Sequence, residues 1–347
     1  MYRSLNRDLA VFKNAQCVTN AWRKYRELLT ILEPDLPKRV NAFLNAELPG
    51  AAICALNHFC FDTKRKLDWW ASSYISKDSS ALGDSYGLLA NNKERWLMLQ
   101  ENEFRDEDLI GEGEATDFRP RTKTGPTSLG DMTDPLEVHR IGDLAREKGI
   151  NLYSHDAGMD VDDDPNDQES INMWLHLGCF LCGLICLEEG GIMIAKQYTL
   201  LERSSDTLAS WYSKVFDSFR LVKPRSSRPY NSEVYLVGVG YRRDERLIRK
   251  LTRALKRKSL RDVEKVNESL VSASLKLSEM QTKALEFSFT AQGYVRSQQK
   301  RDDELDEQSQ WLEDQRVGLL PTERWIPSNQ RPVSEWERFD AFQRETR

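Results

Sequence analysis

The chain has 347 residues, of which 39% are hydrophobic, 30% charged and 10% aromatic, a composition that excludes collagen-like, wholly disordered and membrane-embedded architectures. Its length exceeds the roughly 250–300 residues at which one core stops growing, so one large domain with an extension, or two domains, is expected. A formal net charge of −5 excludes blanket attraction to nucleic acid; a polyanion would meet a local patch.

From the start, Met1 to Cys17 mixes charged residues with no apolar core and does not read as a signal peptide. Asn20 to Leu32 predicts a helix, with Trp22, Tyr25, Leu28, Leu29 and Leu32 at helical spacing and Pro34 and Pro37 as stops. Val40 to Leu48 predicts a strand, Pro49-Gly50 a tight turn, and Ala51 to Phe61 a helix. Lys77 to Thr127 reads as polar loops with short elements around Tyr86 to Leu99. A helix over Pro135 to Lys148, a strand over Ile150 to Ser154 and an acidic loop over Asp156 to Asp167 follow. Then come a long apolar helix over Glu169 to Leu187, a strand over Gly191 to Lys196, a helix over Thr207 to Phe216 and strands over Phe219 to Lys223 and Glu233 to Val239. Alternating strands and helices predict an α/β fold, a mostly parallel sheet covered on both faces. Beyond Tyr241 only helical patterns remain, which divides the chain into a helical segment 1–36, a central domain 37–241 and an extension 242–347.

The longest apolar run, Met173 to Leu187, carries His176 and is too short for a bilayer, so no membrane contact is expected. Cys54, Cys60, Cys179, Cys182 and Cys186 sit in apolar stretches, as buried thiols in a reducing, cytoplasmic compartment do. Cys179, Cys182 and Cys186 face one side of a helix rich in Leu, Ile and Phe without a further ligand pair, so core thiols are expected rather than a metal site. The run Asp160 to Asp164 lacks calcium-loop spacing, and His58, His139, His155 and His176 lack paired metal spacing.

Four features fall near the ends of predicted strands, where open parallel sheets bind ligands. Glu47-Leu48-Pro49-Gly50-Ala51 forms a strand-to-helix turn that brings backbone N–H groups toward a ligand anion. Asp156 follows a strand at once. Lys196 ends an otherwise buried strand, so its ammonium must find a partner. Glu233 is delivered by the basic loop Lys223 to Ser232. At these residues the sequence resembles the FtsJ-like family of S-adenosylmethionine-dependent ribose 2′-O-methyltransferases over roughly residues 20 to 241. It is most similar to the cap methyltransferases of large cytoplasmic DNA viruses. In Ser232-Glu233-Val234-Tyr235-Leu236-Val237 it is also similar to those of nonsegmented negative-strand RNA viruses.

The resemblance implies a Rossmann-like methyltransferase fold, S-adenosylmethionine as cofactor, capped mRNA as substrate and other capping or replication proteins as partners. It implies a Lys-Asp-Lys-Glu tetrad: Lys24, with Lys13 as the alternative, then Asp156, Lys196 and Glu233. It places Glu47, Leu48, Pro49, Gly50 and Ala51 around the methionine part of the cofactor, with Asp156 beside it, and Asp131 of Gly130-Asp131-Met132 at the adenine. The chemistry suits these residues. A lysine can activate a hydroxyl only while partly neutral, and a second cation and burial lower its reference pKa of about 10.4 while carboxylates oppose that shift. Lys196 is therefore expected to be the base, Asp156 and Glu233 its orienters and Lys24 the second cation. From Arg242 to Arg261 ten basic residues stand against two acidic ones. Arg249, Lys250 and Arg253 there, with Lys223, Arg225 and Arg228 nearer the site, are the expected RNA contacts.

Overall fold

A computed structural model describes residues 2–76, 83–100, 128–159, 167–261, 268–288, 301–334, 336–338 and 341. Most of the polar stretch Lys77 to Thr127, and the acidic run Asp160 to Asp164, lie outside the described residues.

Two helices, α1 (Tyr2–Phe12) and α2 (Asn20–Leu32), precede the sheet, and Thr19 caps α2 by accepting from the Trp22 amide. Strands β1 (Arg39–Asn45), β2 (Lys66–Ser72), β5 (Ile150–His155), β6 (Leu187–Gln197), β7 (Phe216–Val222) and β8 (Val234–Tyr241) form one sheet in the order β2-β1-β5-β6-β8-β7, while the short β3 (Ile75–Ser76) and β4 (Ser128–Leu129) pair separately. β2, β1, β5 and β6 run parallel, and β8 is antiparallel to both its neighbours. This is the expected mostly parallel, Rossmann-like fold. One strand of this sheet, like the short β3 and β4 outside it, was not predicted. β2 is an edge strand whose ladder runs only along β1, with a single bridge from Ala71 to Trp96 on its other side, and its Lys66, Asp68 and Trp70 are less buried than Trp69 and Ala71, so no continuous apolar run marks it.

The helices α3 (Ala51–Asp62), α5 (Pro135–Arg146), α6 (Gln168–Cys186), α7 (Arg203–Val215) and α8 (Glu245–Arg257) complete the layers, with a short α4 at Leu88–Asn91. Successive residues of β5 show the two faces. The Tyr153 hydroxyl donates to the Cys179 carbonyl of α6, while Ser154 meets the Tyr25 hydroxyl of α2. The described part of α6 is long and apolar enough, by length and composition, to cross a membrane, beyond the length expected from the apolar run alone. Here 78% of that window is buried inside the molecule as a core helix. Its three cysteines are buried, and burial pushes their thiols up.

The C-terminal region packs on the same core. Helix α9 (Glu268–Ser288) lies against α7, and α10 (Arg301–Gln315) lies against α2, with Trp311 buried. The following segment is stitched to the N-terminal residues: Asn14 Nδ2 donates to Leu320 O at 2.7 Å, Gln16 Nε2 to Ile326 O at 2.7 Å, and Trp325 Nε1 to Asn14 O at 2.8 Å.

Candidate active site

Strand register assembles the site. β6 pairs with β8 so that Lys196 stands opposite Tyr235, and β5 pairs with β6 so that His155 stands opposite Ala195. Asp156, the next residue of the chain, therefore arrives beside Lys196. Glu233 precedes the one strand that runs antiparallel. It thus sits at the amino end of β8, the same edge of the sheet as the carboxyl ends of β5 and β6; the expectation of four strand-end features holds in space although this strand is reversed. Side chains two apart share a face, so Glu233 and Tyr235 point the same way.

The result is a chain of alternating charges. Lys24 Nζ donates to Glu233 Oε1 at 2.7 Å; the Tyr235 hydroxyl stands 3.2 Å from that oxygen and 3.1 Å from Asp156 Oδ1; Asp156 Oδ1 is 3.3 Å from Lys196 Nζ. The structure thus brings Lys24, Asp156, Lys196 and Glu233 together. Of the two candidate lysines, Lys24 is the one at Glu233, whereas the Lys13 carbonyl accepts from the Leu320 amide in the N-terminal stitching. Tyr235 was missed as a site residue. Its only sequence signal is a position two beyond Glu233 on one strand face. Its single hydroxyl hydrogen is shared by two carboxylates, which ties their positions together.

Electrostatics within the chain of charges departs from one expectation. Burial alone would pull the Lys196 ammonium down, but Asp156, Tyr198 and Glu233 outweigh it and hold it above the ordinary lysine value. Burial would push Asp156 up, yet Lys196 and Lys24 hold it below the usual carboxylate range. In the protein alone, then, the carboxylates win and Lys196 is an ammonium. Gly158 leaves room above it: a Cβ there would come within 3.1 Å of both Lys196 Nζ and the Tyr198 hydroxyl. A cavity of about 270 Å³ opens at this point, lined by Lys196, Glu233, Ser232, Asn231, Gly158 and Tyr198 among others. His155 is buried on the α6 side, and burial drives its pKa far down.

The turn between β1 and α3 is held at Ser73. Its Oγ accepts from the Leu48 amide at 3.2 Å, and Gly130 lies against its carbonyl, close enough that any Cβ would collide. The turn and the Gly130-Asp131 motif therefore meet at one edge. Gly50 caps α3 at φ 107, a left-handed conformation suited to glycine, with Leu88 packed on it. The helix start differs from expectation. Glu47 Oε1 accepts from the Ala52 and Ile53 amides at 2.7 and 3.2 Å, so the chain's own carboxyl, not a ligand anion, takes these N–H groups. Burial pushes that carboxyl up to about 8. Asp131 Oδ1 accepts from Thr133 N and Oγ1, both at 2.8 Å. With Glu47, Asp131 and Asp156 around a small-residue turn, the donor set fits a cationic ligand carrying hydroxyls.

The expected RNA contacts divide. Lys223 Nζ donates to Asn231 O, Asn231 Oδ1 and Glu233 O within 2.9 Å, bracing its own loop. Arg225 pairs with Asp314 at 2.9 Å but stays largely exposed, and Arg228 is exposed. Arg249, Lys250 and Arg253 are exposed on α8, whose inner face buries Leu247, Leu251 and Leu255. α8 packs on α6 and begins beyond the far end of β8, so the structure does not bring these residues to Lys196 and Glu233. Sequence reasoning also missed Glu27. One turn after Lys24, its carboxylate accepts from the Arg225 amide at 2.6 Å, the Ser226 amide at 3.0 Å, the Ser226 hydroxyl and Trp311 Nε1 at 2.7 Å.

Residues 108–241 match the family model described as "FtsJ-like methyltransferase". The chain is 37% identical over 243 residues to a protein of African swine fever virus (isolate Warthog/Namibia/Wart80/1980) named "Probable methyltransferase EP424R", covering 69% of this chain and 53% of that one. It is 26% identical over 246 residues to protein L511 of Acanthamoeba polyphaga mimivirus, covering 70% of this chain and 28% of that one. The mouse cap-specific mRNA (nucleoside-2′-O-)-methyltransferase 2 is 27% identical over 242 residues, covering 66% of this chain and 28% of that one. The chain thus spans about half the length of the swine fever virus relative and less of the other two. On this match, residues 108–241 of the chain belong to the FtsJ-like methyltransferase family.

Proposed function

We propose that this chain transfers the methyl group of S-adenosylmethionine to a ribose 2′-hydroxyl of RNA, at the first transcribed nucleotide of a capped viral mRNA in the cytoplasm. The observation that carries this reading is the Lys24–Glu233–Tyr235–Asp156–Lys196 chain of charges opening on a cavity. The names of the relatives support the substrate class.

In this reading Lys196 Nζ receives the hydroxyl proton, so it must be neutral in the reactive complex. Nearby positive charge disfavours an ammonium, and Lys24 on one side with a bound cation on the other works against the carboxylates. Asp156 and Glu233 hold the two lysines apart and fix the direction of Lys196, and Tyr235 locks the carboxylates to each other. Glu47, Leu48, Pro49, Gly50, Ala51 and Asp131, with Asp156, hold the cofactor, which supplies a sulfonium methyl when bound. Held geometry of this kind is worth several kcal/mol, up to about 7–11 in the best cases.

The test is transfer of labelled methyl to capped and uncapped transcripts side by side, with the modified atom located in the product. Lys196→Ala is expected to reduce transfer by at least about 10²–10⁴-fold while cofactor affinity is retained. An active Lys196→Ala variant removes the assignment. Equal labelling of uncapped RNA moves the substrate to structural RNA, and absence of cofactor binding by calorimetry leaves a catalytically silent RNA-binding subunit.

A further inference from the structure

Two cavities meet at Asn231. The first is the 270 Å³ cavity over Lys196 and Glu233; the second, about 520 Å³, lies between the loop after β7 and helix α9. Pro229, Tyr230, Leu277 and Met280 form its apolar wall, and Lys223 and Arg225 its basic one. Gln281 Nε2 reaches the Tyr230 carbonyl at 3.2 Å, so α9 and the loop are joined across it. None of the residues at the β1–α3 turn or the Gly130-Asp131 motif lines it, which sets it apart from the cofactor edge. Tyr230 and Met280 are 43% and 62% exposed, large side chains that folding leaves uncovered.

The occupant follows from position and chemistry. A polymer whose ribose reaches Lys196 must continue out of the reactive cavity, and the shared Asn231 is a way out. A flat aromatic ring, a polarisable thioether and an amide, flanked by an exposed guanidinium, match an unpaired base with its phosphate. We infer that this second cavity holds the base of the RNA nucleotide adjoining the methylated one, its ring against Tyr230 and Met280, its edge toward Gln281 and its phosphate beside Arg225. The inference rests on the RNA-methylation reading and deepens it: helix α9 becomes part of substrate binding.

The test is a coupling experiment. KM and equilibrium binding, the latter by fluorescence anisotropy, are measured for capped oligonucleotides in which one nucleotide flanking the target is abasic, with the full chain and with Tyr230→Ala, Met280→Ala and Tyr230→Phe. One stacked base is worth about 1–3 kcal/mol, about 5- to 150-fold in affinity. At one flanking position the abasic change is expected to weaken the unmodified protein by that factor, but Tyr230→Ala and Met280→Ala by no more than about twofold, and Tyr230→Phe restores the full penalty. An equal penalty in all proteins, or none at any position, overturns the subsite. Both side chains are exposed, so the variants are expected to fold, and unchanged unfolding midpoints check this. If the unmodified protein transfers no methyl to any RNA, the reading above fails instead, and the anisotropy arm still decides the subsite.

Discussion

Lys196 carries the sharpest consequence of the site's charges. Its ammonium is held above the ordinary lysine value by Asp156, Tyr198 and Glu233, so below that value the neutral fraction grows about tenfold per pH unit. Asp156 is held low and stays ionised throughout, so it adds no second limb. In kcat/KM, which reports the ionisations of the free enzyme, a rise with at least near-unit logarithmic slope is therefore expected across roughly pH 6 to 9, and a flat profile would rule out Lys196 as proton acceptor. Glu47 titrates separately. Its carboxyl, pushed up to about 8, ionises as pH rises through that value, so the KM for the cationic cofactor is expected to fall there, and Glu47→Gln to erase that step. Asp156, Lys196 and Glu233 were legible because each stands at the end of a strand pattern and demands a partner, whereas Lys24 came only from the family resemblance. Tyr235 was not legible, since a tyrosine on a buried strand reads as core until the register shows two carboxylates at its hydroxyl.

Helix α2 shows how an element carries more than its periodicity announces. The apolar spacing of Trp22, Tyr25, Leu28, Leu29 and Leu32 made the helix readable, while the same pattern left Lys24 and Glu27 as ordinary polar positions. Both are buried, one turn apart: Lys24 reaches Glu233, and Glu27 holds the loop that delivers Glu233. That second role depends on α10, which sequence pattern alone could not dock. Removing the Glu27 carboxylate strands the Arg225 and Ser226 amides and the Trp311 indole, each buried unsatisfied donor costing about 1–3 kcal/mol. Glu27→Ala is accordingly expected to destabilise by several kcal/mol and to lower transfer, whereas Trp311→Phe, which loses one donor and strands none, costs about 1 kcal/mol. Urea midpoints of the two variants compare them, and equal losses would deny Glu27 its role. The edge strand β2 is the converse case. Its alternation is partial, and the polar Lys66, Asp68 and Ser72 hid it among the loops that follow.

On the scale of the whole molecule, the sequence order of motifs misleads about distance. The basic cluster follows the Glu233 strand directly, which invites a single RNA surface, but β8 has eight residues and starts at the reactive edge. At about 3.4 Å per residue its far end lies about 25 Å away. α8 starts from that far end, where Lys214, Arg242, Arg243, Arg246 and Arg249, with Asp244 and Glu245, line a mainly basic hollow of about 490 Å³, and packs on α6, across the sheet from α2. The cluster of Lys24, Glu233, Asp156 and Lys196 draws on α2's face; the basic cluster occupies the other. A short capped oligonucleotide confined to the reactive cleft cannot reach both, and a long transcript can. Charge reversal at Arg249, Lys250 and Arg253 together is therefore expected to leave the KM for the short substrate unchanged, while weakening a long one and reducing its salt slope by about 0.7 for each phosphate no longer neutralised. Anisotropy titrations at several salt concentrations with both lengths read this directly. A salt slope that is unchanged for the long RNA would make α8 a solvated basic helix, and one reduced equally for the short RNA would place the helix in the cleft, against the geometry of the sheet.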